Sequence, residues 1–215
     1  MKAESRRRDD ERGTAMIELA FVALMLFSFS AAAIDFGLGW RSGLATIEAA
    51  RAGARVGSSL GPQDSTSPDI TKNGRIADFY SVSSAKAALK ASGKLNQVDR
   101  IVVFQSTTLD GQPSAACRTG AGDTSCSVIS GANLRTNWDA ASDDTSVKSQ
   151  TTATGCLTIA NPRNFCPTLR VNTPQGSAQY LGVYVRIRHN YLFPILGSGT
   201  DVSRTAVMRI EPKAE

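Results

Sequence analysis

Between residues 14 and 34 the chain reads TAMIELAFVALMLFSFSAAAI, a run in which Glu18 is the single ionisable residue. About 20 apolar residues at a rise of about 1.5 Å each span about 30 Å, the thickness of the hydrocarbon core of a bilayer. The run is therefore expected to be the transmembrane half of an N-terminal helix. Arg6, Arg7, Arg8 and Arg12 precede it and Asp35 follows it. Excess arginine on the N-terminal side keeps residues 1–13 in the cytoplasm and sends the body across the cytoplasmic membrane, giving a single-pass topology with the N-terminus inside.

An acid inside such a run costs on the order of 2 to 3 kcal/mol near the bilayer centre and less near an end, so Glu18 needs either wet headgroups or a partner. A cut after Gly13 would supply one. Thr14 would become the first residue and Glu18 the fifth, four residues from a new positive α-amine. In low dielectric the attraction of two such charges can offset the cost of burying them when the geometry is good.

Gly13 followed by Thr-Ala-Met-Ile-Glu and an uninterrupted apolar run resembles the class III signal of type IV pilins and pseudopilins, which a prepilin peptidase cuts after the glycine. The likeness extends further. RGTAMIELAFVALMLFSF, DFGLGW, the segment EAARAGARVG over residues 48–57, and the C-terminal VRIRHNYLFPILG with a last strand ending in MRIEP are similar to TadE-like pseudopilins, minor pilins of the tight-adherence (type IVb/c, Flp-type) pilus. The resemblance implies processing at Gly13 and Thr14, a role for Glu18 in assembly, and use of the pilus in surface adhesion. The partners it implies are the prepilin peptidase, other pilin or pseudopilin subunits, the inner-membrane pilus assembly platform and membrane lipid. A subunit of this kind resides in the cytoplasmic membrane or, once assembled, outside the cell in a pilus. Residues 70–178 carry no motif of the family, and variation there suits an exposed region.

The helix is expected to continue through an extracytoplasmic half, residues 35–60, before Gly61-Pro62 and a Ser, Asp and Pro cluster stop it. Within it small residues recur at four-residue steps, Gly39 and Gly43, then Ala45, Ala49, Gly53 and Gly57. Residues so spaced share a face and admit a second element closely. Each glycine weakens a helix by roughly 1 kcal/mol relative to alanine, so four are hard to carry without a packing gain.

Residues 61–215 are expected to form an extracytoplasmic α+β domain, and the whole chain a pilin-like fold in which the long helix packs on a small antiparallel sheet. Residues 75–92 form an amphipathic pattern ended by Gly93. Alternation predicts strands over residues 98–107, 180–190 and 202–210, with Val183, Val185 and Ile187 on one face and Tyr184, Arg186 and Arg188 on the other. Residues 108–178 look loop-rich, with short strands near residues 126–129 and 156–159.

All four cysteines, Cys117, Cys126, Cys156 and Cys166, fall in that loop-rich insertion. An even count in an exported segment favours disulfides over free thiols, and no Cys-x-x-Cys spacing suits zinc. Three connectivities are open. Neighbouring pairs, Cys117 with Cys126 and Cys156 with Cys166, are expected because each closes a loop of about ten residues.

The net charge of +5 falls to about +4 without residues 1–13, which hold five bases and four acids. The bases are dispersed, and no aromatic interleaving accompanies Arg186, Arg188 and His189, so nucleic acid is not an expected partner. His189 is the only histidine. It has no GxSxG elbow or recognisable nucleophile beside it, and phosphate-binding glycine patterns and metal-ligand spacings are absent. No enzyme activity, cofactor or metal is expected. The competing reading is a membrane-anchored or secreted binding protein released by a conventional signal peptidase after Ala33, since Ala31-Ala32-Ala33 meets the small-x-small rule. Against it, the preceding apolar region exceeds the usual 7 to 15 residues or so and contains Glu18.

Overall fold

The computed structural model describes residues 2–60, 75–123, 125–136, 138, 180–193 and 197–210. In chain order its elements are helix α1 (Lys2–Ser59), helix α2 (Arg75–Ala91), a single 3-10 turn (Leu95–Gln97), strand β1 (Val98–Ser106), helix α3 (Ala115–Thr119), strand β2 (Cys126–Ser130), helix α4 (Gly131–Thr136), and strands β3 (Tyr180–His189) and β4 (Thr200–Arg209). The chain adopts the expected α+β, pilin-like class, a long apolar N-terminal helix with one four-stranded antiparallel sheet of order β2-β1-β3-β4. It divides into two compact units, Met1–Trp40 with Asn190–Gly199, and Arg41–His189 with Thr200–Glu215. The part of α1 from Arg41 onward thus groups with the sheet, and the loop between β3 and β4 groups with the part before it.

No proline interrupts α1, because the first in the chain is Pro62. Past residue 40 the helix turns a face of small buried residues inward: Ala45, Ala49, Ala50, Gly53, Ala54 and Gly57. α2 offers Phe79, Val82, Ala85 and Leu89, each at most 3 % exposed and spaced three or four apart, so they share one side of the helix. α2 ends where Gly93 takes φ +71°. There the Lys94 amide reaches the Leu89 carbonyl at 2.8 Å and the Gly93 amide reaches that of Lys90 at 3.0 Å, closing a Schellman turn.

Strand alternation sorts the sheet into two covered faces. Ile101 and Val103 of β1, Ile129 of β2, and Leu181, Val183, Val185 and Ile187 of β3 join the core shared with α1 and α2. Val102, Phe104, Cys126, Val128 and Tyr184 point the other way and pack with Cys117 of α3. On that side Phe104 lies opposite Gly182 in the register, and its ring occupies the space a Cβ at Gly182 would need. The Cys117–Cys126 disulfide joins α3 to β2 with a Cα–Cα distance of 6.2 Å. A loop this short limits the unfolded chain by about 2 to 3 kcal/mol in the loop-entropy account. Cys156 and Cys166, and the short strand expected at residues 156–159, lie outside the described residues.

Within residues 108–178 two helical turns, α3 and α4, stand where only loops and short strands were expected. Trp138, just beyond α4, stacks on Phe79 with ring centroids 5.0 Å apart and donates its indole N–H to the Ser83 hydroxyl at 2.9 Å. A large aromatic thereby closes the core over α2 with its polar atom satisfied.

The α1 glycines differ in how tightly they are held. A Cβ on Gly53 would sit 2.7 Å from the Ser81 carbonyl oxygen, and one on Gly57 would press on the Leu181 side chain at 2.9 Å. At Gly43 the nearest atom would be an Arg204 guanidinium nitrogen at an ordinary 3.6 Å. Gly53→Val should therefore cost about 1 to 3 kcal/mol through overpacking against backbone. Gly43→Ala should be neutral or stabilising by up to about 1 kcal/mol through helix propensity. Denaturant unfolding of the chain in detergent, followed by Trp138 fluorescence, measures both, and equal effects would mean that the close approach at Gly53 is not there.

Candidate functional site

The residues singled out in the sequence lie mostly along α1. The Gly13–Thr14 junction is inside the helix Lys2–Ser59. From Thr14 onward this helix is long and apolar enough to cross a membrane. Its apolar side chains are uncovered by the rest of the chain: Phe21, Leu24, Phe27 and Phe29 are each at least 60 % exposed. Water would be a poor neighbour for such a surface, and lipid or other apolar helices a good one. The two serines in this stretch return their hydroxyls to the helix, Ser28 to the Leu24 carbonyl at 2.9 Å and Ser30 to that of Leu26 at 2.8 Å. Both are thereby compatible with an apolar medium. Glu18 is exposed and makes no ion pair with any described residue.

Asp35 behaves differently. It is 1 % exposed. Its carboxylate accepts the backbone N–H of Leu192 at 2.7 Å on Oδ1 and that of Phe193 at 3.1 Å on Oδ2. About two turns earlier on α1, the Phe27 ring meets that of Phe193 edge-on with centroids 6.2 Å apart. A groove of about 370 Å³ runs beside these groups, lined by Leu24, Phe29, Ala31, Ala32 and Phe193 among others. Asp35-Phe36-Gly37 and the Tyr191-Leu192-Phe193 stretch are two of the segments that carried the family resemblance. The fold brings them together, although more than 150 residues separate them in the chain.

In the unit that holds the sheet, the register continues the core-facing positions of β3 to His189, which is 2 % exposed. Its Nδ1 lies 3.2 Å from the hydroxyl of Ser42, itself fully buried. No local signal marks this pairing, because the partner is on a helix 147 residues away. A serine beside a histidine is the beginning of a nucleophilic dyad, but this hydroxyl is shut inside packed side chains where no substrate carbonyl could reach it.

Arg186 and Arg188 occupy the opposite face of β3 from His189, so the three bases do not form one patch. Arg186 contacts Asp201 at 2.5 Å and Asp99 at 3.4 Å, and Arg188 contacts Asp201 at 3.3 Å. The hydrogen bond from Arg186 holds the Asp201 carboxyl below its ordinary range, helped by Arg188. The same bond raises the Arg186 guanidinium. Asp123, by the disulfide, is pushed up by burial, but hydrogen bonds from the Ser114 and Ser125 hydroxyls and the Ser125 N–H outweigh that and leave its carboxyl lowered. Cys117, Asp123 and Cys126 approach one another closely. Both sulfurs are committed to the disulfide, so neither offers the thiolate a metal would need.

No protein-family model, curated protein or solved structure matches the chain. What its own residues define is a pilin-like α+β protein with one membrane-length N-terminal helix and a disulfide-stapled sheet domain.

The Asp35 carboxylate supplies acceptors for two amides of a loop without regular structure. Asp35→Ala should therefore raise hydrogen exchange at the Leu192 and Phe193 amides by about tenfold or more, the loss of roughly 1.5 to 3 kcal/mol of charge-assisted bonding. Val183 and Val185 amides, held inside the sheet between β1 and β4, should not change. Unaltered exchange at residues 192 and 193 would mean that Asp35 does not hold the loop.

Proposed function

We propose that this chain is a minor pilin or pseudopilin of the TadE-like kind, a non-catalytic subunit that takes part in building a tight-adherence pilus. A prepilin peptidase cuts after Gly13, the helix beginning at Thr14 remains in the cytoplasmic membrane, and the sheet domain lies outside. Assembly then brings the subunit against other pilins or pseudopilins on the inner-membrane platform, and the finished pilus serves surface adhesion. The observation that carries this reading is the contrast between two acids on one helix. Asp35 is satisfied inside the chain by two amides, whereas Glu18 sits in an apolar sleeve with no ion-pair partner among the described residues.

A buried or lipid-facing carboxylate needs a compensating charge, and the α-amine created at Thr14 in a neighbouring subunit has the right sign. The continuous helix supports the same reading. A rod that is apolar at one end and built into a folded domain at the other can pass from bilayer to filament without unfolding that domain. Release after Ala33 by a signal peptidase fits less well, because it would remove Phe27, which packs on Phe193, and most of the groove wall.

Two variants test the proposal. Replacing Gly13 with a bulky residue should abolish the shift in size that marks processing while leaving the protein in the membrane fraction. Glu18→Ala should be processed normally yet be lost from sheared pilus preparations. Normal processing of the Gly13 variant contradicts the peptidase assignment, and undiminished incorporation of Glu18→Ala contradicts the pairing role.

A further inference from the structure

We propose that Leu192 and Phe193, in the loop between β3 and β4, form a second membrane-embedded element, entering the outer leaflet beside α1 with lipid acyl chains as the ligand of its exposed apolar surface. The inference rests on the reading that α1 crosses a bilayer. Phe193 packs against Phe27, and Phe27 precedes the end of the apolar run at Ile34 by seven residues, which is about 10 Å of helix rise. If residues 14–34 fill the hydrocarbon core, the Phe193 ring lies below its outer edge.

Backbone amides cannot enter hydrocarbon unpaired, at several kcal/mol each. The Leu192 and Phe193 amides are paired, and their acceptor, the Asp35 carboxylate, is itself buried and stands one residue beyond the apolar run. Composition agrees. Residues 190–199, NYLFPILGSG, contain no charged side chain.

Large apolar side chains remain uncovered at this level. Leu192 is 63 % exposed, Phe36 74 % and Trp40 64 %. Phe36 and Trp40 stand four residues apart on one side of α1, just past the apolar run, where aromatic residues gather at a membrane surface. Water would meet the exposed Leu192 side chain, an apolar groove and two bare aromatic rings together. An acyl chain satisfies all of them and continues the medium that surrounds residues 14–34.

Trp fluorescence in the reconstituted full chain tests this. In a Trp40→Phe background, where Trp138 is the remaining native reporter, Leu192→Trp adds a probe to the loop and Phe21→Trp adds one to the middle of the helix. The emission added by each is measured in phosphatidylcholine vesicles with bromine placed shallow or deep on the acyl chains, and with aqueous iodide. The loop probe should lose roughly half or more of its emission to shallow bromine and little to iodide, and the helix probe should be quenched most by deep bromine. A loop probe quenched by iodide but not by bromine, with the helix probe still quenched by bromine, overturns the inference and leaves the membrane helix standing. A loop probe shielded from both quenchers is covered by protein, such as a second copy of the chain, and also overturns it. If neither probe responds to bromine, α1 is not in the bilayer and the inference falls with that reading.

Discussion

The close approach of α1 to α2 and the sheet is the constraint on which the rest of the domain depends. Large residues at Gly53 and Gly57 would push the helix off Ser81 and Leu181. The core-facing valines and isoleucines of β1 and β3 would then lose the surface that covers them. Small residues give little apolar area each, so the stabilisation comes from the larger partners, Phe79, Leu89, Ile101 and Ile187, that close around the helix. The opposite face of the sheet needs its own cover, and the disulfide-pinned α3 provides it with Cys117 against Phe104 and Tyr184.

One helix therefore carries two kinds of surface. Residues 14–34 are apolar apart from Glu18 and leave most of their side chains bare, while the part from Arg41 onward is small and apolar on one face and fits a protein core. The transition falls near Asp35. A carboxylate there is tolerable because two backbone amides converge on it. Glu18, fully within the apolar half, has no such arrangement among the described residues. The proposed function follows from that asymmetry more than from any pocket or cluster.

Local signals in the sequence reached the elements well. Alternation placed β3 and β4 within two residues of their observed ends, and Gly93 marked the end of α2 where its positive φ is required. The small-residue spacing led to the packed face of α1, but could not say that Gly53 is tight while Gly43 has room, because that depends on which atoms lie across the gap. The Ser42–His189 contact, the Phe79–Trp138 stack and the Asp35 hold on Leu192 and Phe193 were not legible. Each joins residues 59 to 158 positions apart, and neither periodicity nor composition encodes such a pairing. The two helical turns in residues 108–178 were missed for a related reason. Five or six residues are too few to show a helical period, and tertiary contacts stabilise them.

The most direct test of the central claim is the intact mass of the mature protein recovered from its native membranes, with its N-terminal residue identified. The account predicts a chain that begins at Thr14. A chain that begins at Ile34, or one that retains Met1, would contradict it, because neither places a new α-amine four residues from Glu18.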